Sequence, residues 1–346
     1  MLDKYVISSD LTVKNAIACL DESHQNAIAV VNQDGILIGL FANGDMRKYI
    51  LSNGDLSCNI QKAMNPFPIT FGSSDEARDY IKSHRISVCP VIDSERHLID
   101  MIYDLNDAPK ANSAILNHTP LVIMAGGKGT RLYPYTKILP KALIPIGDLT
   151  ISERIIQQFY KYGCRQVYFI LNHKANMIKS YFNDLSPDYK VHYVQEEKFL
   201  GTGGGLCLLK GKIHDTFILS NCDILVNSDF ECIYKMHKRN KNKITFVCAM
   251  KHMTIPYGVI HTDTEGKIIE MTEKPEFSFL TNTGVYIIEP EVIEELEEDI
   301  FIHLPDIAQK YINRGDKVGV FPIPERAWLD MGQVNEMEAM MKEFEV

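Results

Sequence analysis

Two cations beside a run of glycines are the side chains of this sequence best suited to chemistry on a phosphate. Arg131 follows a stretch in which three glycines occupy four positions, and Lys141 comes ten residues later, behind a proline. Glycine lets the backbone turn tightly and bring its N–H groups against a ligand without a Cβ atom in the way. Such amides with two cations directed at them suit a triphosphate. The residues expected to form this loop are Ala125, Gly126, Gly127, Gly129 and Thr130.

The same stretch excludes two common phosphate-binding loops. A Walker loop requires Ser or Thr directly after its lysine, whereas Lys128 is followed by Gly129. The dinucleotide-binding fingerprint requires a third glycine where Leu132 stands. The stretch is therefore a different glycine loop, or a strand-to-helix turn that binds nothing.

The elements that must position these side chains form an alternating pattern. Apolar strands and amphipathic helices alternate after the loop, which predicts a mostly parallel sheet with helices on both faces. In such sheets, ligands gather at the carboxyl ends of the strands. The predicted strands are 121–124, 166–171, 191–194, 218–220 and 244–250, and the predicted helices are 152–162, 175–182, 289–299 and 336–344. The acidic helix at 289–299 is expected to be solvated and to carry no chemistry.

The loop resembles the signature of sugar-phosphate nucleotidyltransferases, Gly-Gly-x-Gly-Thr-Arg-Leu followed by Pro-Lys. Residues 126, 127, 129–132, 140 and 141 all match it. The resemblance implies an α/β fold with a Rossmann-like, GT-A-like domain built on a mixed, mostly parallel sheet. It also implies an enzyme that joins a nucleoside triphosphate and a sugar 1-phosphate and releases pyrophosphate.

The resemblance assigns the nucleotide base to a second glycine-rich loop. Gln195 follows a predicted strand and is the matching amide, and Gly201 and Thr202 are the matching backbone. An amide reads a base edge by donating and accepting hydrogen bonds at once. A loop that only caps a helix remains the alternative.

Two aspartates are implied to hold Mg²⁺. Asp223 stands at the tip of the apolar strand predicted at 218–220, and Asp330 lies near the end of the chain. Mg²⁺ prefers oxygen ligands and retains waters, so two carboxylates suit it. The family has Gly before the first aspartate, where Cys222 stands here. An aspartate after a strand also serves commonly as a cap or turn.

The sugar phosphate is assigned by resemblance to three further segments. Gly258 lets the sugar approach the backbone, Glu273 and Asn282 bind its hydroxyls, and Lys274 binds its phosphate. For Glu273 and Lys274, a solvated turn before Pro275 is the alternative. Arg131, Lys141 and Asp223 are the implied catalytic residues.

The first 108 residues contain an internal repeat at an offset of 61, in which 27–32 match the last six residues of 87–93 and 36–40 match 97–101. A helical pattern precedes the matched segments in each repeat. The arrangement resembles a tandem CBS-domain (Bateman) pair. The repeats are placed at 1–57 and 58–110, with a linker at 111–118 and the transferase domain at 119–346.

In the first repeat, Asp45 matches the acid that binds the ribose hydroxyls of adenosine, whereas Ala42 stands where Thr or Ser is usual. In the second repeat, Asp100 and Asn106 replace the family's glycine and acid. The resemblance implies an adenine nucleotide at the pair, or a homo-oligomer formed through it. A module that only packs remains an alternative.

The composition of the chain limits the kinds of binding partner that are expected. The net charge of −9 argues against nucleic-acid binding, and no apolar run reaches the 18 residues of a membrane span. The eight cysteines are scattered without a C-x-x-C pair, which argues against zinc and indicates reduced thiols. A cytoplasmic enzyme without a membrane partner is expected.

The identity of the substrates rests on the segment 200–206, Leu-Gly-Thr-Gly-Gly-Gly-Leu. It resembles the base loop of guanylyltransferases, and together with a CBS pair it resembles glucosamine-1-phosphate guanylyltransferases of nonulosonic (legionaminic) acid pathways. GTP and glucosamine 1-phosphate are thereby implied, for surface-glycan biosynthesis. The alternatives are a uridylyl- or thymidylyltransferase acting on glucose 1-phosphate, a mannose-1-phosphate guanylyltransferase, and a catalytically retired nucleotide sensor.

Overall fold

The computed structural model describes residues 2–84, 86–104 and 114–344, without the side chains of residues 2, 3 and 343. Its strands are β1 Val6–Ser8, β2 Ala27–Val31, β3 Leu37–Ala42, β4 Val88–Ile92, β5 Leu98–Tyr103, β6 Leu121–Ala125, β7 Pro145–Ile146, β8 Leu149–Thr150, β9 Gln166–Leu171, β10 Lys190–Gln195, β11 Phe217–Asn221, β12 Ile224–Val226, β13 Ile244–Thr254, β14 Val259–Thr262, β15 Ile268–Thr272, β16 Glu276–Ile288, β17 Val318–Pro324 and β18 Trp328–Asp330. Its α-helices are α1 Val13–Glu22, α2 Asn43–Leu51, α3 Ser74–His84, α4 Tyr135–Ile138, α5 Ile151–Tyr160, α6 Ala175–Leu185, α7 Gly201–Gly204, α8 Phe230–Asn240, α9 Glu291–Glu294, α10 Leu304–Asn313 and α11 Val334–Phe344.

The chain divides into two compact units. The first comprises Met1–Asp107, Ala249–Thr281 and Pro322–Arg326, and the second comprises Ala108–Cys248, Asn282–Phe321 and Ala327–Val346. The predicted domains are continuous along the chain, whereas the first unit also takes in two later segments. Strands β13, β16 and β17 are long enough to begin in one unit and end in the other.

The first unit contains two similar helix–strand–strand modules. In the first module, β2 pairs antiparallel with β3 and parallel with β1, and α1 packs its buried face on this sheet. Thr12 caps α1 by accepting a hydrogen bond from the Asn15 N–H. In the second module, α3 precedes the β4–β5 hairpin. Asn106 and residues 111–113 of the predicted linker lie outside the described residues.

The second unit is built on a mixed sheet with the strand order β10-β9-β6-β11-β16-β13-β17. Neighbours from β10 to β11 are parallel, and β16 pairs antiparallel with β11. The buried, nearly continuous apolar sequences of β6, β9 and β11 explain why they form its centre. The predicted α/β fold with a mostly parallel sheet is confirmed.

The helices that pack on this sheet begin at capping residues and bury an apolar face. Thr150 and Glu153 form a capping box at α5, because the Thr150 hydroxyl accepts from the Glu153 N–H and the Glu153 carboxylate accepts from the Thr150 N–H. One core cluster joins Val122, Leu219 and Ile288 of the sheet to Ile307 of α10.

The helix predicted at 289–299 is wrong in length. Only the turn Glu291–Glu294 is helical. Its Val292 and Ile293 are buried, as expected for the apolar side of an amphipathic helix, and its glutamates are exposed. Pro290 opens the turn, and the Glu295 carboxylate after it accepts hydrogen bonds from Tyr311 and Arg314. These bonds join the residue after the turn to Tyr311 of α10 and to Arg314, which follows that helix.

Within the described part of the chain, no helix combines the length and apolar character needed to cross a lipid bilayer.

Candidate active site

The glycine loop and Asp223 leave the sheet side by side. Strands β6 and β11 are parallel neighbours, with Met124 opposite Asn221 near their carboxyl ends. The glycine loop follows β6, and Asp223 lies two residues beyond β11. The edge of the sheet where parallel strands end therefore carries both features, as expected for a ligand site.

The glycine loop is held by its own sequence. Gly129 has a φ of +64°, which is strained for other residues, and it leads into a 3₁₀ turn at Thr130–Leu132. The Thr136 hydroxyl donates to the Gly129 carbonyl at 2.7 Å. This turn places Arg131 at the surface of the loop, with its side chain on the cavity described below.

Lys141 and Asp223 form an ion pair. Lys141 opens a 3₁₀ turn after Pro140, and its ammonium donates to the Asp223 carboxylate. Their side chains are only 12% and 14% exposed. The neighbouring Cys222 is buried, and burial raises the pKa of its thiol to about 12, so it stays protonated. The substitution of cysteine for the family's glycine therefore leaves this carboxylate in place and adds no charge.

Asp330 stands beside Asp223. Strand β12 pairs antiparallel with β18, so that Ile224 faces Asp330, and the Met331 N–H donates to the Asp223 carbonyl at 2.8 Å. Burial, followed by the charges of Asp223 and Glu336, raises the pKa of Asp330 to about 6. Its Oδ1 is buried and accepts no hydrogen bond from any described residue.

This pair of carboxylates fits a divalent metal ion. The donors are hard oxygens, and a buried, unpartnered carboxylate oxygen next to a second acid is stabilised by a cation. Among residues 2–84, 86–104 and 114–344, no cluster of three or more His, Cys, Asp or Glu is placed to bind a metal by itself. Two protein ligands leave further positions for water and substrate oxygens, which is the usual coordination of Mg²⁺.

A cavity of about 520 Å³ collects most of the predicted catalytic residues. It is lined by Arg131, Asp223 and Asp330 together with Thr202 and Asn282. The Asn282 side chain donates to the Tyr286 hydroxyl at 2.8 Å and accepts from the Gly284 N–H at 3.1 Å. Residues from six separate segments of the second unit thus share one polar cavity. Its other lining residues, which the sequence did not indicate, include Asn221, Tyr286, His303, Asp306 and Trp328.

Three of the predicted sugar-binding residues belong to the first unit. Gly258 precedes β14 and Glu273 follows β15, and a Cβ atom on Gly258 would lie 2.9 Å from the Glu273 carboxylate. Lys274 adopts a positive φ of 46° in the turn that follows. The structure brings Gly258 and Glu273 together, while Asn282 lies in the second unit.

The predicted contact of Gln195 with the nucleotide base stays a prediction. Gln195 ends β10 with an exposed side chain, and its Oε1 accepts from the Lys179 ammonium at 2.7 Å. Glu196, which the sequence reading did not single out, is 3% exposed, and neither of its carboxylate oxygens has a hydrogen-bond partner among the described residues.

Glu196 lies between the two glycine-rich loops. One of its oxygens is 2.8 Å from the place where a Cβ atom of Gly126 would stand, and the other contacts Gly205 in the same way. Burial raises the pKa of the Glu196 carboxyl to about 7, and the Leu200 N–H, which lies nearby without making a hydrogen bond of acceptable geometry, lowers it only in part. The sequence contained one signal that could have indicated Glu196. This glutamate stands one residue after the expected amide and five positions before Gly201.

Asp45 in the first unit has a local role. Its Oδ2 accepts a hydrogen bond from the Ala42 N–H at 3.0 Å, which caps α2. Burial raises its pKa above the ordinary value. The cap uses one carboxylate oxygen, and the predicted contact with ribose hydroxyls stays a prediction.

A mixed sheet with a glycine loop, two cations and paired aspartates at one strand edge defines a class of α/β proteins that handle nucleotides. Comparison with known sequences narrows the class: the profile of the family "Nucleotidyl transferase" matches residues 121–345, and that of the CBS domain matches residues 1–52. The chain belongs to the nucleotidyl transferase family. The predicted family and the predicted N-terminal CBS domain are confirmed.

Individual relatives are similar over part of their length. A UTP–glucose-1-phosphate uridylyltransferase of Synechocystis sp. is 30% identical over 233 residues, covering 62% of this chain and 60% of the relative. A mannose-1-phosphate guanylyltransferase of Mycobacterium tuberculosis is 28% identical over 216 residues, covering 61% and 60%. The chain thus spans about three fifths of the length of these relatives. The crystal structure of HddC from Yersinia pseudotuberculosis shares the fold, with a TM-score of 0.52, 22% identity and coverage of 66% of this chain and 100% of that chain.

Proposed function

We propose that this chain transfers a nucleotidyl group from a nucleoside triphosphate to a sugar 1-phosphate and releases pyrophosphate. The observation that carries the proposal is the shared cavity, in which Arg131 meets Asp223 and Asp330 while Lys141 is bonded to Asp223. Cations and carboxylates in this arrangement suit phosphoryl groups and a metal ion, and the family match points to the same reaction.

The chemistry needs alignment and charge compensation more than proton transfer. An oxygen of the sugar 1-phosphate forms a bond to the α-phosphorus while the bond from that phosphorus to the bridging oxygen of the β-phosphate breaks. The nucleophile is ionised near neutral pH, because the second pKa of a phosphate monoester is about 6. Arg131 neutralises the triphosphate and the leaving pyrophosphate, and Lys141 neutralises the α-phosphate and the incoming phosphate.

Asp223 and Asp330 would hold a divalent ion, most simply Mg²⁺, and that ion would supply further charge neutralisation at the phosphates. The Asp330 oxygen that lacks a hydrogen-bond partner supports this role. The roles of Gly258, Glu273 and Lys274 in holding the sugar phosphate are proposed from the family resemblance.

GTP is the proposed nucleotide, and Glu196 rather than Gln195 is its proposed base contact. A carboxylate only accepts hydrogen bonds, and guanine offers two adjacent donors, N1–H and the 2-amino group. Uracil and thymine flank their single N–H with carbonyl oxygens, which a carboxylate repels. A buried carboxylate with both oxygens unpartnered therefore favours guanine.

Glucosamine 1-phosphate is the proposed sugar substrate. Of the three carboxylates that line the cavity, that of Asp306 is not a proposed metal ligand. An ammonium group on the sugar gains from this remaining negative charge, whereas a hydroxyl or an acetamido group gains less. The proposed nucleotide sugar would serve surface-glycan biosynthesis.

A matrix of pyrophosphate-release assays tests these proposals. It crosses GTP, UTP, dTTP, CTP and ATP with the 1-phosphates of glucose, mannose, glucosamine and N-acetylglucosamine. The expected result is a single strong combination, GTP with glucosamine 1-phosphate. Glu196→Gln is expected to lower kcat/KM for GTP by about 100-fold or more, whereas Glu197→Gln, at its exposed neighbour, leaves it unchanged. Strong activity with UTP and glucose 1-phosphate would reject the proposed substrates but keep the reaction, and no release from any pair would reject the reaction.

The CBS domain is proposed to bind an adenine nucleotide and to join copies of the chain. Calorimetry with AMP tests the first part, and Asp45→Asn is expected to weaken binding because it removes the charge that attracts ribose hydroxyls. Light scattering tests whether copies of the chain associate. Absence of AMP binding by the wild-type protein would leave a packing module.

A further inference from the structure

We propose that His303 is a positioning residue for the nucleotide, acting through a strap, defined here as residues 299–303, that holds the base loop, residues 196–205. The inference rests on the proposed function, because it assigns to the base loop a nucleotide ligand. Both segments belong to the second unit, and Thr202 of the loop and His303 of the strap line the same cavity as Arg131.

The strap occupies the backbone donors of the loop. The Ile302 carbonyl accepts from the Gly203 N–H at 3.0 Å and from the Gly204 N–H at 3.1 Å, and the Ile302 N–H donates to the Leu200 carbonyl at 3.1 Å. Gly201 has a φ of +83°, and a Cβ atom there would lie 2.6 Å from the Ile302 carbonyl oxygen. The glycine run is thus required by the close approach of the strap.

The side chain of His303 completes the contact. Its Nδ1 accepts from the Thr202 N–H at 3.4 Å and lies 3.3 Å from the Thr202 hydroxyl oxygen, which itself accepts from the Leu304 N–H at 3.3 Å. Because the Thr202 amide can only donate, this contact selects the neutral tautomer with its proton on Nε2. Thr202 is therefore held on both its backbone and its side chain.

Outside the cavity the two segments are joined by weaker contacts. Lys198 and Asp299 form an exposed ion pair at 3.4 Å, and the Phe199 and Phe301 rings meet edge to face at 6.0 Å. The Phe301 ring in turn contacts the His303 imidazole at 5.0 Å. His303 is the residue of the strap that both lines the cavity and bonds to Thr202. It can therefore hold the base loop in the position in which the nucleotide is proposed to bind.

A loop held in place before binding loses less conformational freedom when the nucleotide arrives. Removing the imidazole frees Thr202 and should weaken nucleotide binding, while the metal acids and the sugar side are untouched. His303→Ala is expected to raise KM for GTP about five- to tenfold, the worth of one hydrogen bond. KM for the sugar phosphate and kcat should each change by less than about twofold. The melting temperature should change by less than a few degrees.

His303→Asn supplies the test of mechanism. The asparagine Oδ1 can accept from the Thr202 N–H in place of Nδ1, so KM for GTP should return to within about twofold of the wild type. His214→Ala, at an exposed histidine in the same unit, is the matched control and should behave as the wild type. A purely structural role would instead lower the melting temperature and raise both KM values together, without rescue by asparagine.

Measurement of wild-type turnover and of GTP binding by calorimetry separates the possible failures. If the wild type turns over and His303→Ala keeps its KM for GTP, the inference is overturned and the proposed function stands. If the wild type binds GTP without turnover, the proposed reaction fails, and the same variants compared by Kd decide the inference. If it neither turns over nor binds any nucleotide, both are overturned.

Discussion

The Lys141 ammonium and the Asp223 carboxylate, 82 positions apart in the chain, form an ion pair in which both side chains are nearly shielded from solvent. A shielded pair holds each partner in place, since either charge alone would be costly to bury. Through this pair Lys141 is fixed next to Asp223, which itself lines the cavity.

Replacement of Lys141 by alanine should abolish turnover, with a loss in kcat of at least about 100- to 1000-fold, because a preorganised positive charge at the reacting phosphates is lost. The fold should be retained, as judged by circular dichroism, although the melting temperature should fall because Asp223 is left without its partner. Lys190→Ala, on the exposed edge strand β10, is the control. Normal turnover by pure Lys141→Ala would contradict the assignment of this site.

A divalent ion should stabilise the protein through Asp330. Millimolar Mg²⁺ is expected to raise the melting temperature of the wild type and to leave Asp330→Asn unchanged, since the variant lacks one of two carboxylate ligands. In metal-free buffer, Asp330→Asn should have a higher melting temperature than the wild type, because the variant removes a buried charge that lies near two other acids. Glu338→Gln, an exposed change on α11, serves as control, and an equal Mg²⁺ response of all three proteins would exclude the metal site.

The buried Glu196 carboxyl should make stability depend on pH. Its pKa is raised to about 7 in the folded protein from an ordinary 4.5, so its contribution is full below pH 4.5 and is lost as the pH rises through about 7. Glu196→Gln does not ionise, and at pH 8 it should melt about 2–4 °C above the wild type. Near pH 4.5 the difference should vanish.

Melting curves at pH 4.5 and 8 measure this dependence, and Glu197→Gln controls for charge at the surface. A difference of the same size at both pH values would mean that the Glu196 carboxyl does not titrate between them.

The left-handed turn at Gly129 should not tolerate a side chain. Gly129→Ala forces a residue with a Cβ atom into a φ of +64° and brings that atom to 2.9 Å from Thr136 Cγ2, at a cost of about 1–2 kcal/mol from the backbone alone. Gly127→Ala, two residues away, meets no atom within 4 Å. Urea unfolding should show a clear loss of stability for the first variant and none for the second; equal stability of the two would rule out the turn.

The local features of the site could be read from the sequence because they depend on neighbouring residues. The glycine loop after β6, the cations Arg131 and Lys141, and the alternation that builds a mostly parallel sheet are all set by short-range spacing and apolar periodicity. The error at 289–299 is of the opposite kind, because Glu295 bonds to Tyr311 of α10 and to Arg314 just after that helix, and no local pattern contains that information.

The tertiary structure decided which distant groups meet. It paired Lys141 with Asp223, set Asp330 beside Asp223 through the β12–β18 ladder, and laid the strap that contains His303 on the base loop. It also distinguished Gln195 from Glu196: successive side chains at the end of a strand point to opposite sides, so one faces solvent and the other is buried between the glycine loops. Sequence spacing supplies the residues of such contacts, but the packing of the chain determines which of them share an environment.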